Sequence, residues 1–434
     1  MGRLGGASGI SCLAVLGPRQ CGSSGECPLN ILLLTQVVPY PLDSGPKIKT
    51  HHVLRYLSER HNVHLVSFVR TAEEERAANA LQPFCSDVTT VPLRRSRLAD
   101  VKHLVRSLID GRPFLIERDD SRTMRAVVAG LNAQKHFDAV HADQLSMAQF
   151  ALDLPSPLRV LDEHNAVWTV VRRAASYERS LPHRLIAEIE WRKLRSYEGR
   201  VVRDFDHVTV VSHADLTALQ IAAGAPISAA VVPITVDVSA LPFVPDRNET
   251  QRILSVATMF YPPNAEGVYW FAREAFPLVR AQIPTAEFMV VGSRPPQKVI
   301  GLANTDSGVT VAGYVENLDL VVEQSAVLIV PLHSGSGMRV KILDAFARGI
   351  PVVSTSIGAE GIDIEPGDHL LIADDPRDFA GAVVRILREP ITAARLAAAG
   401  RKLVEDRYDW RLGLAGLDRF YPQAREDSPS VLPH

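Results

Sequence analysis

From Asn30 onward, short apolar runs alternate with longer stretches in which apolar residues recur at helical spacing. Strands buried on both faces read as continuous apolar runs, and the crossovers joining them in parallel become helices, so this rhythm predicts a parallel α/β fold. In the first half the expected strands are 30–38, 63–69, 88–93, 138–143, 158–163, 207–212 and 229–234. In the second half they are 252–258, 286–292, 308–313, 326–332, 350–355 and 369–374. Between the two sets, LPFVPDRNETQ at 241–251 carries two prolines and three charged residues without periodicity, and reads as a linker. The expected architecture is therefore two doubly wound, Rossmann-like parallel-sheet domains facing a cleft, at 29–243 and 244–408. Residues 1–28, rich in Gly and Ser, read as a disordered leader.

In doubly wound sheets ligands bind beyond the carboxyl ends of the strands, which directs attention to three loops. The first, PYPLDSGPKIKTHHVLRYL at 39–57, places Gly45 at the start of an amphipathic helix, with Lys47 and Lys49 beside free N–H groups that suit a phosphate or a sugar hydroxyl. The second, LDEHNAVWTVVRR at 161–173, ends a strand in Asp162, Glu163, His164 and Asn165. His164 and, at the end of the preceding strand, His141 stand where catalytic groups are sought. The third, PLHSGSGMRVKILDAFARGIPVVST at 331–355, passes from a buried strand through Gly335, Ser336 and Gly337 into a helix from Met338 to Arg348 that stops at Gly349. Small residues at a helix start let backbone N–H groups approach an anion. Arg339 and Lys341 sit at the end of the helix that disfavours cations, and a bound anion is the simplest compensation. Asp344, one to two turns on, suits a diol such as a ribose.

Composition narrows the function. A chain of 434 residues is too long for one ordinary core, and 47 Lys plus Arg against 49 Asp plus Glu gives a charge of −2, with no bulk basic character to hold nucleic acid. Four cysteines, at 12, 21, 27 and 85, do not make a disulfide framework and fit a reducing cytoplasm. The short apolar stretch Ile10–Leu16 falls short of a secretory signal, and no apolar run is long enough to cross a membrane. The phosphate-loop, dinucleotide and nucleophile-elbow patterns are absent, as are the paired-Cys and His-x-x-x-His metal spacings. Asp204-Phe205-Asp206 has the Asp-x-Asp form of metal-dependent sugar transferases, but it precedes a strand and reads as a helix end. Residues 168–203 interleave many Arg with Trp168, Tyr177, Trp191 and Tyr197, which suits either a solvated helical surface or a seat on an anionic membrane.

Taken in order, PYPLDSGPKIKTHHVLRYL, DEHN, VTVVSHAD, VVPITVD, ILSVATMFYPPNAEGVYWF, FMVVGSRPP, VTVAGYVENLDLVV and SGSGMRVKILDAFARGIPVVST resemble a retaining glycosyltransferase of the GT-B fold, in the large fourth sequence family. The likeness runs from about residue 29 to 423 and is strongest to the branch that builds bacterial exopolysaccharides and other cell-surface glycans. It implies a nucleotide-sugar donor on the second domain, a glycan or lipid-linked acceptor on the first, no cofactor, no metal, and a place in the cytoplasm or at the inner face of the membrane. Ser336, Gly337 and Met338 would present N–H groups to the donor, Arg339 and Lys341 would neutralise its diphosphate, and Asp344 would hold the ribose. Gly292 and Ser293 would flank the base, Gly45 would approach the diphosphate, and His164 would face the reacting sugar. The resemblance also implies that a last helix, 409–425, returns to the first domain.

The chain departs from the family pattern of two Glu across the third loop, with Ser336 in place of the first and Asp344 in place of the second. It also lacks the Arg/Lys pair that many members carry after the first strand of the second domain, which leaves Arg339 and Lys341 to supply the phosphate charge. A nucleotide-sugar epimerase on the same scaffold, or a catalytically decayed nucleotide-sugar-binding protein, are the alternative readings.

Overall fold

The computed structural model describes residues 26–156, 158–178, 180–241, 243–244, 250–304, 308–315, 317–335, 337–421 and 424–425. Most of the expected leader and part of the expected linker lie outside them, as does Ser336. Every apolar run named above contains a strand. The first sheet is built from β1 (Asn30–Thr35), β2 (Asn62–Val69), β3 (Asp87–Pro92), β4 (Ala139–Asp143), β5 (Arg159–Glu163), β6 (His207–Val210) and β7 (Ala229–Val231). The second comprises β8 (Arg252–Val256), β9 (Glu287–Val291), β10 (Val309–Gly313), β11 (Val327–Val330), β12 (Val352–Ser354) and β13 (Leu371–Ile372).

The first sheet has seven strands in the order β3-β2-β1-β4-β5-β6-β7, the second six in the order β10-β9-β8-β11-β12-β13, and every pairing is parallel. Strand order therefore reverses beside β1 in one sheet and beside β8 in the other, and the crevice opened there is where such sheets take ligands. The helices that matter below are α1 (Gly45–Ser58), α2 (Arg97–Asp110), α3 (Val167–Tyr177), α4 (Leu181–Asp204) and α5 (Val340–Ala347). The α5 helix begins two residues later than expected. It ends on the left-handed Gly349 (φ 69°), after which Ile350 N–H donates to Ala345 O at 2.9 Å and closes the last turn.

The polypeptide comes back to the first sheet after Leu403, in two short helical turns, Trp410–Gly413 and Ala415–Arg419, rather than the single helix expected at 409–425. Trp410, Leu414, Leu417, Phe420 and Tyr421 are buried in the same cluster as Ile31, Leu33 and Leu65 of β1 and β2. Trp410 is fully buried with the Arg55 guanidinium 4.2 Å above its ring, a packing whose loss in Trp410→Ala costs about 3–5 kcal/mol. Glu26 and Cys27, inside the expected leader, pair antiparallel with Ala424 and Arg425, which satisfies their backbone groups.

Candidate active site

The first-domain side grows from the alternation of β5. Side chains of a strand point to opposite faces in turn, so Asp162 goes one way and Glu163 the other. Asp162 is buried and takes Lys49 Nζ from α1 and Thr209 Oγ1 from β6, each at 2.5 Å. Burial works against its charge, but Lys49 and the two neighbouring histidines outweigh it and hold Asp162 well below the usual carboxylate range. His164 Nε2 lies 3.0 Å from Asp143 Oδ1 and 3.7 Å from Asp162 Oδ2, while Thr50 Oγ1 donates to Asp143 at 2.9 Å. Burial pulls the His164 pKa down, yet the Asp143 carboxylate carries it above the ordinary histidine value. His141 completes the cluster: its Nε2 is 3.8 Å from Asp162 Oδ2 and its Nδ1 is 2.6 Å from the Tyr421 hydroxyl, on the returning segment.

Glu163, on the opposite face, is not part of this group. Burial, reinforced by the carboxylates of Glu198, Asp162 and Asp215, raises it well above the normal range. Two of those neighbours fix the loop that follows. Asp215 accepts from Ala166 N–H at 2.9 Å, and Glu198 accepts from Val167 N–H and Trp168 N–H at 2.8 and 3.0 Å. Three successive amides at the start of α3 are thereby held, which sets His164 and Asn165 at the floor of the crevice. The His164 ring itself is only 5% exposed.

The first loop does not offer its lysines to a ligand as the sequence led us to expect. Lys47 pairs with Asp43 at 3.0 Å, and Lys49 is fully buried on Asp162. Gly45 does reach the crevice: a Cβ there would stand 3.2 Å from Val340, the first residue of α5. Two helix starts from different domains thus face one another.

On the second-domain side, Gly337 has φ 85° and packs so closely that a Cβ would meet Asn165 Oδ1 at 2.2 Å. A side chain is excluded by both backbone conformation and space. A Cβ on Gly335 would fall 3.3 Å from the Tyr261 hydroxyl and 3.0 Å from Arg339. Lys341 donates to Asn264 Oδ1 at 3.4 Å, and among the described residues no carboxylate pairs with it. Burial, then Arg339, pushes the Lys341 pKa down to about 7, and burial also lowers Arg339. Met338 presents its backbone here while its side chain is buried in the core of the second domain. Asp344 is partly exposed and takes Arg348 Nε at 2.9 Å, with burial raising its pKa. Gly292 and Ser293 follow β9: a Cβ on Gly292 would overlap Ala257 O, and Ser293 O accepts from Met259 N–H at 3.1 Å. Together they border the neighbouring strand end from which Tyr261 and Asn264 rise.

Arg173 of α3 ties the two halves together, donating to both oxygens of Glu360 at 2.6 Å and to Gly335 O at 3.3 Å. Asn165, Arg173, Tyr261, Asn264 and Glu360 were not singled out from sequence. Only Asn165 carried a signal, as the last residue of the polar run at the end of β5.

Residues 250–389 match the family model described as Glycosyl transferases group 1, on a chain whose two parallel sheets have the GT-B arrangement. The fold is GT-B, and its second domain is similar to the group 1 glycosyltransferases. Over 392 residues, 88% of this chain and 96% of the relative, it is 20% identical to an uncharacterized 44.6 kDa protein in the cps region of Klebsiella pneumoniae. Over 150 residues, 32% of the chain and 39% of the relative, it is 27% identical to a GDP-mannose-dependent phosphatidylinositol monomannoside mannosyltransferase of Corynebacterium glutamicum. Among solved structures, Anabaena HepE in complex with UDP and glucose superposes with a TM-score of 0.60 at 13% identity, covering 88% of this chain and 96% of HepE.

Proposed function

We propose that this glycosyltransferase moves a sugar, with retention at the anomeric carbon, from a nucleoside-diphosphate sugar to a cell-surface polysaccharide, lipid-linked or other glycan acceptor. The observation that carries the reading is the meeting of two helix starts, Gly45 against Val340, beside Arg339 and a Lys341 whose charge burial suppresses. Such a place is electropositive by dipole and by side chain, and a diphosphate satisfies both. HepE holds UDP and glucose, and the Corynebacterium relative uses GDP-mannose on a phosphatidylinositol mannoside, which supports a nucleotide donor and a lipid-linked acceptor here.

In this reading the bond between the anomeric carbon and the diphosphate oxygen breaks while an acceptor hydroxyl adds from the same face. The hydroxyl proton passes to the departing phosphate. Arg339, Lys341 and the amides from Gly335 to Met338, with Ser336 among them, stabilise the negative charge that develops on the leaving group. Asp344 holds the ribose, Gly292 and Ser293 flank the base, Gly45 lies along the diphosphate, and His164, oriented by Asp143, faces the sugar. No cofactor takes part and the reaction needs no metal. Asp143, Asp162 and His164 do bring ligand atoms within 4.8 Å of one another, but Lys49 at 2.5 Å from Asp162 already supplies the positive charge that an ion would bring. The site of action is the cytoplasmic face of the membrane.

The test is to incubate the protein with UDP- and GDP-sugars, with and without glycan acceptors, and follow free nucleoside diphosphate. Release that requires an acceptor supports the transfer reaction. Conversion of one nucleotide sugar into another without release would instead assign an epimerase.

A further inference from the structure

Several arginines of the first domain are answered within the fold. Arg112 meets Glu117 at 2.6 Å and Asp120 at 3.2 Å, and Arg125 meets Asp120 at 3.0 Å. In the arginine-rich stretch at 168–203, Trp168 and Tyr197 are buried and Arg172 lies over the rings of Trp168 and Trp191 at 6.0 and 5.5 Å, so those aromatics pack inward. One further group differs, because its cations outnumber its carboxylates and it stands at the carboxyl edge of the first sheet.

Three adjacent strand ends assemble it. Gln36 follows β1, Arg70 follows β2 and Arg95 lies just beyond β3. These strands are neighbours in the order β3-β2-β1 and run parallel, so the three residues share the edge on which doubly wound sheets take ligands. A short helix after α2, Phe114–Asp119, brings Arg118 and Asp119 to the same place. It is held from behind by Glu190 of α4, which accepts from Leu115 N–H at 3.2 Å. Asp119 is only 1% exposed. It accepts from Gln36 Nε2 and from Arg95 Nη2, each at 2.6 Å, and Arg118 Nε lies 3.5 Å from it.

Arg70 has no such partner. Its Nη2 reaches only the Gln36 carbonyl, at 3.5 Å, its Nε is buried without a hydrogen-bond partner, and it makes no ion pair among the described residues. Glu74 is engaged by the Arg70 backbone N–H at 2.6 Å. The charged groups about Arg70 are Arg95 and Arg118 on one side of the balance and Glu74 and Asp119 on the other, so three guanidiniums share two carboxylates. Burial, then Arg95, lowers the Arg70 pKa. A half-buried cation left this way is destabilising until an anion completes it, and the guanidinium fork matches a carboxylate or a phosphate.

We infer that Arg70, Arg95 and Arg118 form a subsite for an oxyanion on the acceptor, a uronate carboxylate or a phosphate, so that the acceptor is an acidic glycan or a glycan phosphate and not a neutral sugar. The acceptor role rests on the proposed transfer reaction. Neighbouring strands lie about 4.8 Å apart and three spacings separate β2 from β5, which sets Arg70 on the order of 14 Å along the edge from His164. That span exceeds one sugar ring. The anion therefore belongs to a unit of the acceptor other than the one that receives the sugar, and these arginines position the acceptor without taking part in bond making.

Calorimetry on the full chain tests this with three probes: hyaluronan tetrasaccharide, the same sugar with its carboxyls reduced to alcohols, and a phosphorylated maltotetraose. An acidic probe is expected to bind on the order of tenfold tighter than the reduced one. The preference is lost in Arg70→Gln and in Arg118→Gln and partly kept in Arg70→Lys, while the melting temperature and the UDP-induced thermal shift stay those of the wild type. A preference for the uronate assigns an acidic sugar, and one for the phosphate a glycan phosphate. Equal binding of acidic and reduced probes, binding of none, or a preference unchanged in both Gln variants would overturn the assignment. Preference for an acidic probe without acceptor-dependent diphosphate release would leave the subsite standing and reject the transfer reaction. Release with neutral acceptors that Arg70→Gln does not diminish would reject the subsite and keep the transfer reaction.

Discussion

Two groups of charge face each other across the crevice, and they differ in how they are answered. In the first domain Lys49 meets Asp162 and His164 meets Asp143, each cation with a carboxylate at hydrogen-bonding distance. In the second domain Lys341 faces an uncharged amide, with Arg339 as its like-charged neighbour. The first arrangement is complete within the fold, because a buried charge that lacks a partner is costly. Lys341 has no carboxylate partner among the described residues, and in the proposed reading a bound anion supplies its counter-charge. A cation near a loop is therefore a poor guide to binding until its partner is known, and Lys47 and Lys49 show why.

The sharpest way to break this comparison is to exchange the two lysines' fates. Lys49→Ala leaves Asp162 buried without its partner, and chemical denaturation is expected to show a loss of about 3–5 kcal/mol. Lys341→Ala is expected to unfold within about 1 kcal/mol of the wild type, since it removes a cation that burial already disfavours. The same variant, like Arg339→Ala, loses roughly a hundredfold or more in turnover by the loss of leaving-group stabilisation. Full turnover in either would remove the anion site from the account. A smaller effect is expected of Gly337→Ala, which must displace Asn165 and adopt a left-handed backbone, at about 1–3 kcal/mol in stability with donor affinity reduced. Its crystal structure would show whether Asn165 moves. Arg173→Ala breaks a partly exposed pair and shifts stability by about 0–1 kcal/mol, so any large change would mean that Arg173 touches the donor.

The His164 pair has a pH signature with the opposite sign to Lys341. A histidine whose pKa is raised by Asp143 keeps its proton to higher pH, and the stability it contributes is fully present at low pH and is lost as pH rises through the raised value. Asp143→Asn is expected to move the His164 ring titration, followed by NMR, to lower pH. An unmoved titration would show that Asp143 does not set it.

Much of the fold was legible because its cause is local: strands covered on both faces are rich in apolar residues, and each of β1 to β13 falls on one of the apolar runs. The loop at 331–341 drew attention for a related reason, since Gly335, Gly337 and the cations at the α5 start break ordinary helix rules. What sequence did not carry was pairing between distant residues. Nothing in Lys49 announces Asp162, 113 positions away, and nothing in Arg173 announces Glu360. The polar run at 162–165 looked like one site and is divided by strand alternation, with Glu163 turned away from His164.

The most direct test of the anion site is calorimetry of UDP and GDP binding to the wild type and to Lys341→Met between pH 7 and 9, in buffers of different ionisation enthalpy. A Lys341 pKa of about 7 in the free protein, restored upward by a bound diphosphate, means that binding takes up a proton and weakens with rising pH by up to about tenfold per unit. Wild-type binding with proton uptake, lost in Lys341→Met, is the expected result. Binding of neither nucleotide, or equal binding with no proton uptake in both proteins, would contradict it.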